Sequence, residues 1–208
     1  MNKLITFEGV DGSGKSTQIE LLKDKFDQLG IQYLSIREPG STTISENIRD
    51  ILLDNKNSQL CSEAESLLFM AARAQITAEV IIPALENGKF VLCDRYIDST
   101  IAYQGYGRGL DIPFLKSINH YATRGNIPGL TIILDIDYEL SLRRRNRQEN
   151  DRMESGGGGF LNNVKGGYHQ IAKEGDRYKI VNGDNSPEEI FKSVWQIIAN
   201  NYGVMNDQ

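Results

Sequence analysis

The sequence predicts an α/β fold in which a parallel sheet carries helices on both faces. Short apolar runs rich in Ile, Val, Leu and Phe alternate with longer segments of helical periodicity, the pattern of strands joined by crossover helices. The 208 residues are enough for one compact domain and few for two. With 39% apolar and 25% charged residues, the composition excludes collagen-like and largely disordered chains. We therefore expect a single domain over residues 1–208.

The predicted strands are five apolar runs, at residues 4–8, 32–37, 89–94, 131–135 and 178–182. Between the first two, residues 16–29 form a predicted helix. Gly30 follows it and can adopt the left-handed conformation that ends a helix.

Two further helices are predicted from their start signals. The spacing of Ser62 and Glu65 fits a capping box, which opens a helix running toward Gly88 with a bend at Pro83. The last helix follows Ser-Pro-Glu-Glu at residues 186–189, a cap residue, a first-turn proline and an acidic first turn.

Charge and cysteine content exclude several kinds of partner. With 23 basic and 28 acidic residues the net charge is −5, so nucleic acid and anionic membranes would repel the chain, and we predict neither as a partner. Cys61 and Cys93 belong to no CxxC or Cys/His cluster, which fits a reduced compartment and no metal scaffold. Glu8 interrupts the N-terminus before a signal-peptide core can form, and no apolar run of about 18 residues follows. We expect a soluble cytoplasmic protein.

Residues 143–152 form an arginine-rich segment with five arginines and two acidic residues, a local charge of +3. Four consecutive glycines follow at positions 156–159. Because glycine has no side chain to pack, the two stretches predict a mobile cationic flap, or lid, over residues 143–160.

A phosphate-binding motif follows the first predicted strand. Residues 9–16, GVDGSGKS, match the P-loop pattern GxxxxGK[ST] at every fixed position. Glycines let backbone N–H groups curl around phosphate oxygens, and the helix N-terminus adds partial positive charge. Lys15 can then reach the β- and γ-phosphates, and the Ser16 hydroxyl can ligate Mg²⁺. The candidate ATP site comprises Gly9, Val10, Asp11, Gly12, Ser13, Gly14, Lys15, Ser16 and Thr17.

The alternative interpretation of these residues is a flexible glycine turn. Average residue usage produces the pattern by chance in roughly one chain per hundred of this length. Its position between an apolar strand and a helix makes chance rarer, so we favour triphosphate binding.

Other motifs narrow the class of P-loop protein. A GTPase should carry an NKxD motif, and in the segment Asp54-Asn55-Lys56-Asn57 the Asn-Lys pair is not followed by the aspartate of that motif, since Ser58 stands in its place. Large motor and remodelling ATPases are longer and take arginines from neighbouring subunits, whereas this short chain carries its own. A small kinase with a second substrate in the same cleft fits best, and a non-catalytic nucleotide-binding module stays open as the alternative.

Asp94 and Arg95 lie at the carboxyl end of a predicted strand, the edge where open α/β sheets bind ligands. There the carboxylate can hold Mg²⁺ and the guanidinium can clamp a phosphate. The alternative is a buried structural ion pair.

Six segments carry recognisable motifs: residues 9–17 (GVDGSGKST), 37–40 (REPG), 69–73 (FMAAR), 94–99 (DRYIDS), 102–105 (AYQG) and 151–154 (DRME). In order and spacing they resemble the thymidylate kinases, over residues 3–200. The resemblance implies the P-loop nucleoside monophosphate kinase fold, with a five-stranded parallel sheet and a short lid. It also implies phosphoryl transfer from ATP-Mg²⁺ to dTMP, giving dTDP and ADP for dTTP biosynthesis, by a homodimer.

The resemblance assigns five residues to the nucleoside of dTMP. Phe69 stacks on thymine and Arg73 donates to a base carbonyl; their spacing of four puts them on one helix face. Thr100 and Gln104 lie at the thymine edge, where the Gln104 amide can donate and accept. Tyr103 crowds the position of a ribose 2′-hydroxyl. Without the resemblance, an aromatic core residue beside a solvated arginine would be an equal interpretation of the first pair.

The resemblance places further residues around the dTMP sugar and phosphate. Arg95 and Arg49 bind the acceptor phosphate. Asp11 contacts the sugar 3′-hydroxyl, a role that would justify a carboxylate beside polyphosphate. Glu38 and Pro39 shape the wall of the pocket.

The lid supplies the remaining assignments. Gly12 stands where one branch of the family has a P-loop arginine, so the chain is similar to the bacterial branch that takes its arginines from the lid. Arg147 and Arg152 stabilise the transferring phosphoryl group, and Arg143 packs against adenine; a solvated surface is the alternative. The predicted catalytic set is Lys15, Arg95, Arg147 and Arg152, and the predicted Mg²⁺ ligands are Ser16 and Asp94.

Overall fold

A computed structural model of the chain describes residues 2–145, 152–153 and 157–204. The predicted catalytic residue Arg147 lies outside the described residues.

The predicted parallel sheet is confirmed. Its strands are β1 (Leu4–Glu8), β2 (Tyr33–Arg37), β3 (Phe90–Asp94), β4 (Leu130–Asp135) and β5 (Tyr178–Asn182). They lie in the order β2-β3-β1-β4-β5, and every neighbouring pair is parallel. Because β1 is in the middle, the chain reverses its direction of winding there, which opens a crevice at the carboxyl ends of β1 and β3.

Helices connect the strands. They are α1 (Lys15–Gln28), α2 (Thr43–Leu53), α3 (Ser62–Ile76), α4 (Ile82–Glu86), α5 (Ile97–Thr100), α6 (Ile112–Ala122), α7 (Tyr138–Arg145), α8 (Gly157–Ile171) and α9 (Pro187–Tyr202). Single π-helical stretches join α3 to α4 (Thr77–Ile81) and extend α5 (Ile101–Gly107).

Apolar side chains of β1 alternate between two cores, one on each face of the sheet. Ile5 packs with Ile19 of α1 and Ile198 of α9. Leu4, its neighbour in sequence, packs on the other face with Ile76 at the end of α3. Successive strand residues point to opposite faces, so a strand covered on both sides is apolar throughout.

The two predicted helix starts have different outcomes. The predicted start of α9 is confirmed, with Ser186 as the N-cap. Ser186 Oγ accepts a hydrogen bond from the Glu189 amide and the Glu189 carboxylate accepts one from the Ser186 amide, which completes a capping box. The prediction of a capping box at the start of α3 is wrong. Cys61 is the N-cap and makes no side-chain cap, and Glu65 is only 1% exposed, directed into the protein. Partners distant in sequence hold its carboxylate, as described below.

The long helix predicted toward Gly88 is interrupted just before Pro83 by the π-helical stretch Thr77–Ile81. Proline has no N–H and its ring crowds the carbonyl four residues earlier, so the bonding pattern has to change there. Among the described residues, the run Ser62–Glu86 is the one helix long and apolar enough to cross a membrane by length and composition. Arg73 lies buried within it, and α3 packs against α2 and α6, as a core helix does.

Three glycines of the predicted flap lie in a helix. Gly157, Gly158 and Gly159 form the first turn of α8. A Cβ on Gly158 would lie 3.1 Å from the ring of Tyr138, at the start of α7. Here the missing side chain lets two helix starts approach each other closely.

Candidate active site

The carboxyl ends of β1 and β3 form the edge on which the candidate site is built. Phe7 pairs with Asp94 in the sheet register, and the Arg95 amide donates to the Phe7 carbonyl at 3.0 Å. Two cavities open at this edge, one of about 580 Å³ and one of about 1870 Å³. Four residues line both of them: Asp11, Glu38, Arg49 and Arg95.

The P-loop forms the floor of the larger cavity. Gly14 is the N-cap of α1 at φ 96°, and no side chain caps the first amides of the helix. Gly9 is closely surrounded, since a Cβ there would come within 2.5 Å of the Leu134 carbonyl oxygen. The loop therefore approaches the sheet closely and leaves the amides at the start of α1 for an anion.

Lys15 lies within the loop and is 6% exposed. Its Nζ donates to the carbonyls of Gly9 and Val10, each at 3.2 Å, and lies 3.7 Å from the carboxylate of Asp11. Burial, with the nearby Arg95 cation, lowers the pKa of Lys15 from its ordinary value. The ammonium is thus held at the loop, beside the place where a phosphate would bind.

Ser16 and Asp94, the predicted Mg²⁺ ligands, are brought together. The Ser16 hydroxyl donates to Asp94 Oδ2 at 3.0 Å, and both residues line the larger cavity. A hydroxyl and a carboxylate are oxygen ligands of the kind Mg²⁺ binds alongside phosphates and water, so the pair fits that ion. Within the described part of the chain, no group of three or more His, Cys, Asp or Glu residues could hold a metal.

The smaller cavity gathers every residue that the sequence assigned to dTMP: Asp11, Glu38, Pro39, Arg49, Phe69, Arg73, Arg95, Thr100, Tyr103 and Gln104. Leu53, Ser99 and Met153 complete its lining. These residues come from loops and helices spread over more than half of the chain, and the fold unites them in one concave site.

Arg73 is 2% exposed, which excludes the alternative of a solvated arginine. Its Nε donates to Glu38 at 2.7 Å, Nη1 donates to Thr100 and Asn119 at 2.8 and 2.6 Å, and Nη2 donates to the Tyr96 carbonyl at 3.0 Å. These bonds use four of its five N–H groups and leave one Nη2 hydrogen for a ligand. Burial raises the pKa of Glu38 to about 7, although Arg73 opposes that shift.

Arg95 is positioned from several sides and has φ 69°, in the left-handed region. Its Nη2 donates to Asp11 at 2.5 Å and to the Tyr103 hydroxyl at 3.1 Å. Its Nη1 donates to the hydroxyls of Ser99 at 3.2 Å and Tyr168 at 3.3 Å. The pairing with Asp11 lets a carboxylate remain beside a phosphate site, because a cation lies directly against it.

Glu8 lies beneath this cluster and was not predicted from the sequence to be a site residue. It is fully buried at the end of β1 and accepts hydrogen bonds from the Ser99 hydroxyl at 2.5 Å and the Tyr168 hydroxyl at 2.8 Å. Burial, with the nearby Asp98 carboxylate, raises the pKa of Glu8. A carboxylate ending an otherwise buried strand was the available signal, because such a group needs partners.

Two lid arginines assigned from the sequence, Arg143 and Arg152, are not among the residues that line the two cavities. Arg143 is exposed on α7, and its neighbour Arg144 lines the larger cavity and donates to the Gly183 carbonyl at 2.9 Å. Asn185 and Pro187, after β5, line the same cavity and were also missed. Their position at the ligand-binding edge of the sheet could have identified them.

Arg152, predicted to face the transferring phosphoryl group, is directed elsewhere. It is buried, its Nε donates to the Leu52 carbonyl at 2.8 Å, and its Nη1 donates to Glu65 at 2.6 Å. It therefore lies on the α2 and α3 side of the smaller cavity, beside Met153, which lines that cavity.

A P-loop at the crevice of a parallel sheet, with a second cavity beside it, defines the class of P-loop kinases that hold donor and acceptor together. The family model described as thymidylate kinase matches residues 7–194. The curated relative from Kosmotoga olearia, a thymidylate kinase, is 45% identical over 192 residues, covering 91% of this chain and 92% of the relative. The relative from Syntrophotalea carbinolica, also a thymidylate kinase, is 44% identical over 208 residues, covering 96% of each chain.

A solved structure agrees with these sequence matches. The crystal structure of thymidylate kinase from Ehrlichia chaffeensis superposes with a TM-score of 0.77 at 33% identity, over 94% of this chain and 97% of that one. The chain belongs to the thymidylate kinase family. The reaction of the family is phosphoryl transfer from ATP to dTMP, giving dTDP and ADP.

Proposed function

We propose that this chain phosphorylates dTMP held in the smaller cavity, with the ATP polyphosphate in the larger one. The observation that carries the proposal is the set of four residues common to both cavities, Asp11, Glu38, Arg49 and Arg95. A reaction between two bound phosphates needs such a junction, because catalysis of phosphoryl transfer depends on positioning and charge.

In the acceptor subsite, the ring of Phe69 stacks on thymine. The remaining Nη2 hydrogen of Arg73 and the Thr100 hydroxyl are donors for base carbonyls, and Gln104 reads the Watson–Crick edge. Tyr103, which is 5% exposed and receives a hydrogen bond from Arg95, limits the space beside the sugar. These contacts favour a pyrimidine deoxynucleotide.

At the junction, Arg95 and Arg49 neutralise the acceptor phosphate, and Lys15 holds the donor phosphates at the P-loop. Asp11 accepts a hydrogen bond from the 3′-hydroxyl of the sugar and stays paired with Arg95. The acceptor is an anionic phosphate oxygen, so the reaction needs no dedicated general base.

Ser16 and Asp94 would hold the divalent cation. Bound Mg²⁺ would neutralise charge on the triphosphate. The hydrogen bond between these two residues pre-orients both oxygens toward the larger cavity.

Residues 143–160 act as the lid in this proposal. Arg144 is its described contact with the larger cavity, and Arg147 remains the candidate for stabilising the transferring group. Arg143 remains a candidate for packing on adenine, and Arg152 would reach the phosphoryl group only after leaving Glu65. We place the protein in the cytoplasm as part of the same proposal.

A coupled assay of ADP release tests the function. The purified protein is given ATP-Mg²⁺ with dTMP, dUMP, UMP, CMP, AMP or GMP in turn, and kcat/KM is measured for each. We expect dTMP to exceed every ribonucleotide by at least about tenfold, because the acceptor cavity is built around one base edge and a restricted sugar. Equal turnover of a ribonucleotide, or ATP binding without transfer to any acceptor, would refute the proposal.

We also propose that the chain is a homodimer joined through α2, α3 and α6. These neighbouring helices leave large apolar side chains exposed: Ile44, Ile51, Leu67, Phe114 and Tyr121. A face of this kind fits a second apolar surface better than water. Because α3 packs against both α2 and α6, a substitution on α3 is the one chosen to test this face.

Light scattering on the eluting protein tests the dimer. We expect the unmodified chain to have twice its 23.3 kDa and Leu67→Glu to have the monomer mass, since a charge cannot be buried unpaired in the interface. Ile180→Glu, at a 44% exposed site on β5, is the matched control and should stay dimeric. A monomeric wild type at micromolar concentration would exclude the dimer, and a dimeric Leu67→Glu would exclude this face.

A further inference from the structure

The carboxylate of Glu65, near the start of α3, is 1% exposed and lies behind the smaller cavity without lining it. Its Oε1 accepts from the Gln104 side-chain amide at 2.8 Å. Its Oε2 accepts from Arg152 Nη1 at 2.6 Å, and Arg108 lies 3.4 Å away. Two guanidinium groups therefore compensate a carboxylate that would otherwise be costly to bury.

This contact fixes the direction of the Gln104 amide. A carboxylate flanked by two cations only accepts hydrogen bonds, so the NH₂ end of Gln104 has to face Glu65. Gln104 lines the cavity, and its carbonyl oxygen has no hydrogen-bond partner among the described residues. The end left for a ligand is therefore an acceptor.

An acceptor at this point distinguishes two kinds of pyrimidine. N3 of thymine or uracil carries a hydrogen and can donate to the Gln104 carbonyl. N3 of cytosine is itself an acceptor, so the same carbonyl would face a lone pair and lose a hydrogen bond. If the Gln104 amide were reversed, its NH₂ group would face the base, and cytosine would be preferred over thymine or uracil.

We propose that Glu65 is a positioning residue that sets base specificity by holding the Gln104 amide in one orientation. Arg152 supports it by holding Oε2, which leaves Oε1 for Gln104. Arg152 Nη2 also lies 3.5 Å from the sulfur of Met153, which is in the wall of the cavity. The proposal rests on the proposed function, since it requires the base to bind in the smaller cavity.

Glu65→Gln is the test, because a glutamine has the same shape and can pair with Gln104 in either orientation. We expect the ratio of kcat/KM for dTMP to that for dCMP to fall by about tenfold or more, mainly through a higher KM for dTMP. Glu63→Gln makes the same change in the same turn of α3 at an exposed site, and its ratio should equal that of the wild type.

A swapped pair keeps the test decisive if Glu65→Gln folds poorly. In the double variant Glu65→Gln/Gln104→Glu, the glutamine can donate to the new carboxylate and its carbonyl can still accept from Arg152. The cavity again receives an acceptor oxygen with the total charge unchanged, so the preference for dTMP should return. Thermal unfolding of each variant shows which of them fold.

The outcomes separate the two proposals. If the wild type does not phosphorylate dTMP, the proposed function fails. If the wild type is active but Glu65→Gln lowers kcat/KM for dTMP and dCMP alike, Glu65 has only a structural role and this inference is overturned. The same conclusion follows if Glu65→Gln does not fold and the folded swap fails to prefer dTMP.

Discussion

Replacing Lys15 with alanine should lower kcat by about 10²- to 10³-fold, the loss typical of removing one preorganised donor to developing negative charge. Lys15 lines the larger cavity and not the smaller one. Its Nζ is already held by carbonyls of the P-loop, so little rearrangement is needed when phosphate binds. The KM for dTMP should therefore change by less than about threefold, because the acceptor contacts remain.

Steady-state kinetics with controls separate this effect from loss of structure. Lys15→Met keeps the apolar stem in its buried place and should lose kcat to the same extent. Lys23→Ala, further along α1 and partly exposed, should leave both parameters unchanged. Phe69→Ala should show the reverse pattern, a raised KM for dTMP with a smaller change in kcat. A kcat within about threefold of wild type for both Lys15 variants would remove this residue from the catalytic set.

The sheet and the P-loop were predictable because each depends on residues close together in sequence. The strand of residues 4–8 is apolar throughout because β1 is covered on both faces. The position of β1 determines where the P-loop lies, and the P-loop determines where a triphosphate binds. For these parts, local sequence and tertiary structure impose the same requirement.

The start of α3 shows where local sequence fails. Ser62 and Glu65 have the spacing of a capping box, as do Ser186 and Glu189, yet only the second pair forms one. A cap contributes about 1 kcal/mol, whereas the ion pair of Glu65 with Arg152 compensates a fully buried charge. The stronger tertiary contact decides the direction of the side chain, and its partner is 87 residues away.

The arginine-rich segment illustrates a second limit. Its charge predicted contact with phosphates, but charge does not say which arginine faces the site. Adjacent residues of a helix are rotated by about 100°, so Arg144 lines the larger cavity and its neighbour Arg143 does not. Which arginine faces the cavity depends on how α7 is rotated about its own axis, and that rotation is set by the packing of the helix.

Arg95→Ala should reduce kcat by about 10³-fold, as loss of an arginine that stabilises a transferring phosphoryl group does. Unlike Lys15→Ala, this substitution should also raise the KM for dTMP, because Arg95 lines both cavities. Asp11, Ser99, Tyr103 and Tyr168 hold its guanidinium, so the charge lies at the junction before either substrate binds. Preorganisation of this kind is what makes a single cation effective.

Two variants isolate the guanidinium from its backbone. Arg95→Lys keeps the positive charge but loses the planar fork that contacts four partners, so kcat should remain about 10²-fold below wild type. Arg124→Ala is the matched control, since Arg124 also has a left-handed φ, 50°, but is exposed at the end of α6. It should retain full activity and lose no more stability than Arg95→Ala. If Arg95→Lys were as active as the wild type, charge alone would suffice at the junction, and the network of Ser99, Tyr168 and Glu8 beneath it would have no part in the rate.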